Sequence, residues 1–120
     1  MASLTTISET DLTLYFVIRD QNALVWNTST LALEAFSAGN YTLYAHTSLE
    51  QGDTGFYYGN TSASLPAGHY RIDWRIQAGG DPAQSDQPLA YGSAYWDGTI
   101  WRFDTSGGTI VSETTTITSE

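Results

Sequence analysis

The chain contains no cysteine and no lysine in its 120 residues. Without cysteine there is no disulfide, no thiolate metal centre and no cysteine nucleophile, and nothing in the composition sets the redox compartment. Four basic residues, all arginine, stand against 13 acidic ones, giving a net charge of −9. A surface of that sign repels phosphate backbones and anionic bilayers, so no nucleic-acid partner and no membrane partner are expected. No apolar run approaches the ~20 residues that span a bilayer. The stretch Met1-Ala2-Ser3-Leu4-Thr5-Thr6 lacks the basic and apolar regions of a secretory signal. Long helical periodicity and internal repeats are missing as well.

What remains is aromatic and alternating. Aromatic residues make up 13% of the chain, mostly Tyr and Trp. The clearest stretch runs from Ser64 to Ala78, where Pro66 and Gly68 make a turn and strict alternation begins at His69. Tyr70, Ile72, Trp74 and Ile76 face one way, His69, Arg71, Asp73 and Arg75 the other, as in a strand with one buried and one wet face.

The rest follows the same period. Residues 1–11 are rich in Ser and Thr and read as a flexible arm or an added edge strand. Leu12, Leu14, Phe16 and Ile18 share one face of a strand to Arg19; Asp20-Gln21-Asn22 turns, and Leu24-Val25-Trp26 returns as a hairpin. Thr28 to Phe36 reads as strand or irregular structure. After a break at Ala38-Gly39-Asn40, Tyr41, Leu43, Ala45, Thr47 and Leu49 alternate as another strand. Gln51 to Gly55 turns into a compact aromatic strand, Phe56 to Gly59. Ala78 to Pro88 is the longest loop, Leu89 to Trp96 re-enters the sheet, and Trp96-Asp97-Gly98 turns into Thr99 to Phe103. Ser106-Gly107-Gly108 precedes a Thr-rich segment to Glu120 of high β propensity. The expected fold is therefore all-β, an antiparallel Ig-like sandwich of about seven to nine short strands. Its expected division is an arm at 1–11, a sandwich at 12–104 and a Thr-rich strand or arm at 105–120.

Catalytic chemistry finds little footing. Gly92-Ser93-Ala94 lacks a nucleophile-elbow pattern, and His46 and His69 offer no triad by spacing. Asp20, Asp53, Asp81, Asp86 and Asp97 fall in turns, where Asp is favoured for backbone reasons, and the solvated-turn reading is preferred to a carboxylate pair. The Asp81 to Asp86 loop offers hard oxygens for calcium but lacks EF-hand spacing. Asn27, Asn40 and Asn60 each begin an Asn-x-Ser/Thr triplet, which chance explains in a chain so rich in Ser and Thr. No enzyme, cofactor or metal is expected. The functional clue is the aromatic surplus: Trp26, Tyr44, Tyr57, Tyr58, Tyr91, Tyr95, Trp96 and Trp101 exceed a small core's needs and form the candidate interaction surface. Tyr70 and Trp74 are assigned to the core.

Leu65-Pro66-Ala67-Gly68-His69-Tyr70 resembles the Pro-x-Gly-x-Tyr turn of immunoglobulin-like and carboxypeptidase-regulatory-like sandwiches. With Val25-Trp26-Asn27, Gly55-Phe56-Tyr57, Gln77-Ala78-Gly79-Gly80 and Tyr95-Trp96-Asp97-Gly98, the span Leu12 to Gly98 resembles small Ig-like domains of bacteriophage structural and bacterial surface proteins. The resemblance implies a non-enzymatic protein of a virion or extracellular assembly, such as a capsid-decoration, tail or fibre component. Its partners would be copies of itself and other virion or surface structural proteins. The alternative is a carbohydrate-binding or adhesive module, with a glycan as ligand.

Overall fold

The strand expected from His69 is there, and it anchors the larger of two sheets. The computed structural model describes residues 2–103. Ten strands occur among them: β1 (Ser3–Ile7), β2 (Leu14–Asp20), β3 (Val25–Asn27), β4 (Ala32–Glu34), β5 (His46–Thr47), β6 (Leu49–Glu50), β7 (Phe56–Asn60), β8 (Gly68–Ile76), β9 (Gln87–Trp96) and β10 (Trp101–Arg102). The small sheet has the order β1-β7-β6; the large one runs β10-β9-β8-β2-β3-β4, with β5 added on β2. All pairings are antiparallel. The sheets pack face to face as a β-sandwich-like domain, as expected.

Alternation decides what fills the space between the sheets. Leu4 of β1 and Tyr57 of β7 meet Phe16 and Ile18 of β2, Tyr70, Ile72 and Trp74 of β8, and Trp96 of β9, all buried. Burying each of these large side chains stabilises the fold by roughly 1.5–3 kcal/mol. Two ring polars of this cluster are bonded: Trp96 Nε1 donates to the Leu65 carbonyl at 2.8 Å, and the Tyr70 hydroxyl donates to the Pro66 carbonyl at 2.6 Å. The second bond closes the Leu65-to-Tyr70 turn. Close approach between the sheets requires Gly59, because a Cβ there would lie 2.6 Å from the Phe16 ring and 2.8 Å from the Thr47 carbonyl oxygen.

Two expectations are corrected, and a third resolves to one of its alternatives. Residues 1–11, read as a flexible arm or an added edge strand, contain the edge strand: β1 pairs with β7 from Ser3 opposite Asn60 to Ile7 opposite Phe56, and Leu4 and Thr6 are buried. Tyr41 to Leu49 is not one strand. A helical turn α1 (Tyr41–Tyr44) comes first, and only then β5 and β6. The turn places Tyr41 and Tyr44, three apart, on one side, where they cover Tyr15, Val17 and Val25 on the outer face of the large sheet. This second cluster is why β2 is buried from Leu14 to Ile18 on both faces. Finally, Asp86 is not a solvated turn acid but is buried. The expected arm at 105–120, and the turn at Ser106-Gly107-Gly108, lie outside the described residues.

Candidate functional site

The loop before β9 is held by that buried carboxylate. Asp86 accepts from the Ala83 and Ala78 amides at 2.8 and 3.1 Å and from the Tyr15 hydroxyl at 2.8 Å. Burial pushes its carboxyl up, but the Ala83 amide, the Tyr15 hydroxyl, the Ala78 amide and nearby Arg75 outweigh that and hold it below the usual range. Burial, with hydrogen bonds to Tyr41 and Asp86, pushes the Tyr15 hydroxyl up, so it remains a donor. Asp86 is thus engaged by the protein itself, and it does not converge with Asp81 and a third acid on a common point. Asp11, Glu50 and Asp53 do converge, their oxygens within 4.8 Å of one another. Both Glu50 oxygens already accept backbone amides there, from Asp11 and Gly55. The turn reading of Asp20 and Asp97 holds, each accepting two backbone amides just downstream.

The eight candidate aromatics separate into two groups. Trp26, Tyr44, Tyr57 and Trp96 are buried, which corrects their assignment to the surface. The surplus exists because the chain fills two clusters, one on each side of the large sheet. Trp101 is half-buried, its Nε1 donating to Thr61 Oγ1 at 3.0 Å and its ring 5.1 Å from that of Trp96. Tyr58 and Tyr95 are half-buried, and Tyr91 is 82% exposed.

Tyr91 and Tyr95 stand on the outer face of the large sheet, opposite Asp73 and His69 of β8. Arg71, Asp73 and Arg75 share that face, as the alternation requires. Arg19 joins them from β2, and Asp73 bridges Arg75 at 2.9 Å and Arg19 at 3.4 Å. Three of the four arginines therefore lie on one side of an acidic protein. Next to this face runs a strand edge. Strand β9 is paired with β8 along nearly its whole length, but on its other side β10 meets only Tyr95 and Trp96. Among the described residues, Gln87 to Ala94 have no partner along that edge.

A second feature lies between the sheets where β3 faces β5 and β7. It is a groove of about 480 Å³, walled by Trp26 and Tyr58, with exposed Leu31 and Leu49 at its mouth and His46 among its lining. His46 stacks on Phe16 with ring centroids 4.7 Å apart and planes 12° from parallel. Its Nε2 is buried without a hydrogen-bond partner among the described residues. Burial, only partly offset by a hydrogen bond to the Asn60 backbone, pushes the imidazole down to about 4, so the ring is neutral at pH 7. Sequence reasoning placed His46 on a strand but could not see this, because Asn60 and Phe16 reach it from distant elements. His69 meets only the Tyr95 ring edge-on, at 4.9 Å. Neither histidine is paired with a serine or a carboxylate in a triad among the described residues.

Compared with protein-family models, curated proteins and solved structures, the chain has no match. Function therefore rests on the two features just described, the β9 edge and the groove.

Proposed function

We propose that the protein is a non-enzymatic structural module that assembles with copies of itself, of the kind that the resemblance to virion and extracellular sandwich domains implies. The observation that carries this reading is the β9 edge. Among the described residues this edge is open over eight residues, Gln87 to Ala94; such an edge accepts another strand, and proteins that remain alone usually blunt it. Here Pro88 blunts only one end, and exposed Tyr91 sits at the middle.

The occupant is residues 109–118 of a neighbouring copy. That stretch, Thr-Ile-Val-Ser-Glu-Thr-Thr-Thr-Ile-Thr, is the most β-prone run outside the described residues. Strand β10 starts along the β9 edge with Trp101 opposite Trp96. Beyond that pair the β9 edge is open among the described residues, and the proposal seats the 109–118 run of a second copy on it. In this reading β1 takes no part, being committed to β7.

Light scattering on the full chain and on a Val111→Pro/Thr115→Pro variant tests this, since proline removes ladder donors without touching residues 2–103. A discrete oligomer that becomes a monomer with an unchanged near-UV spectrum is expected. A full chain that is monomeric at every concentration, or a variant that still assembles, overturns the reading.

A further inference from the structure

We propose that the groove between β3 and β7 binds a neutral, polyhydroxylated ring such as a single sugar residue, one hydroxyl of which donates to His46 Nε2. The proposal is independent of self-assembly.

Three observations converge on it. The first is the unsatisfied acceptor. A neutral imidazole carries one N–H and one lone pair. His46 Nε2 is buried with no partner among the described residues; in this proposal the ring keeps its N–H on Nδ1, on the side of the Asn60 backbone, so that the lone pair lies on Nε2. An unpartnered buried acceptor is costly, and a hydroxyl group answers it.

The second is charge. The chain carries 13 acidic residues, yet among the described residues the groove is lined without any Asp, Glu or Arg; its polar members are Thr, Ser, Asn and His. Such a lining offers nothing to balance an ionic ligand and several partners for hydroxyls. Complementary apolar surface comes from the half-buried ring of Tyr58 and from Leu31 and Leu49 beside it. A sugar presents the same mixture, hydroxyls around its rim and C–H groups on its faces.

The third is strain at the mouth. Leu31, 50% exposed, has φ +57, a left-handed conformation unfavourable for a bulky side chain. It is enforced by Asn27, whose Oδ1 accepts from the Ser29 and Thr30 amides and whose carbonyl accepts from Leu31. Asn27 is fixed in turn by Nδ2 donating to Glu34. Leu31 thus ends the β3–β4 turn and lines the groove as well, and backbone strain of this kind recurs at ligand clamps.

The test is NMR titration of the full chain with glucose, galactose, mannose and N-acetylglucosamine, following His46 Nε2, the Trp26 indole and the Gly59 amide. At least one sugar should shift all three signals. Its affinity should fall about tenfold in His46→Phe, which keeps the stack on Phe16 but has no acceptor, and also in Tyr58→Ala. If His46→Phe fails to fold, Tyr58→Ala and Ser62→Ala, both at half-buried positions, carry the comparison. A panel that shifts none of the three signals overturns the proposal, as does binding unaffected by these variants.

Discussion

Protonating His46 in place would put a charge where no carboxylate waits for it. The groove around it is uncharged, and its closest ring is Phe16. Its folded pKa, about 4, lies below the usual 6.5. A group depressed in this way supports the fold fully above its unfolded pKa. That support is lost as pH falls from about 6.5 toward 4, on the order of 3 kcal/mol over the window. Urea unfolding at pH 7 and at pH 4.5 should show this loss, and His46→Phe should remove most of it. Equal pH slopes in the two proteins would mean that His46 is charged in the fold or that other groups dominate. Asp86 acts in a lower range. Its folded pKa is depressed, so its contribution holds at neutral pH and fails only as pH falls below the usual carboxylate value.

Among the elements, β1 is the one for which the sequence left two readings open, an arm or an added edge strand, and the structure shows the strand. Its pairing with β7 and the burial of Leu4 make it one of the three strands of the small sheet. Leu4→Ala should cost about 2–5 kcal/mol in urea unfolding, the range for a buried leucine; a loss below about 0.5 kcal/mol would return β1 to the status of a surface arm. The sequence left this open because Thr6, a polar residue, is the other buried position. In β8, by contrast, apolar and charged residues alternate cleanly, and both faces were legible. Strand β2 was half legible. The face with Leu14, Phe16 and Ile18 was read, but the unbroken run Leu14-Tyr15-Phe16-Val17-Ile18 also signals burial on both sides. Tyr41 to Ala45 satisfies period two and a helical turn equally well, and the outcome depends on a hydrophobic patch around Tyr15 and Val25 that lies elsewhere in the sequence. The groove was illegible for the same reason: Trp26, His46 and Asn60 come from three separate elements.

For the whole molecule, the net charge of −9 opposes any association of identical copies. Screening shortens the reach of that repulsion to about 10 Å at 0.1 M salt. If strands pair across the β9 edge, the oligomer fraction in light scattering should rise between low salt and about 0.15 M. A fall would identify ion pairs, rather than backbone pairing, as the adhesive.

Strand β2 lies at the middle of the large sheet, yet its main partner is far along the chain. Leu14 sits opposite Ile76, and β1 likewise finds β7 only at Asn60. As the polypeptide leaves the ribosome, a five-residue apolar segment with both faces bare has to wait until some sixty further residues have been made. Long-range antiparallel pairing of this kind folds slowly, typically in milliseconds to seconds, and bare strands invite premature pairing between nascent chains. The nearest partner along the chain is β3, joined to β2 by the Asp20-to-Leu24 turn, but its ladder is a single pair, Arg19 opposite Val25, so the sheet around β2 is complete only when β8 arrives.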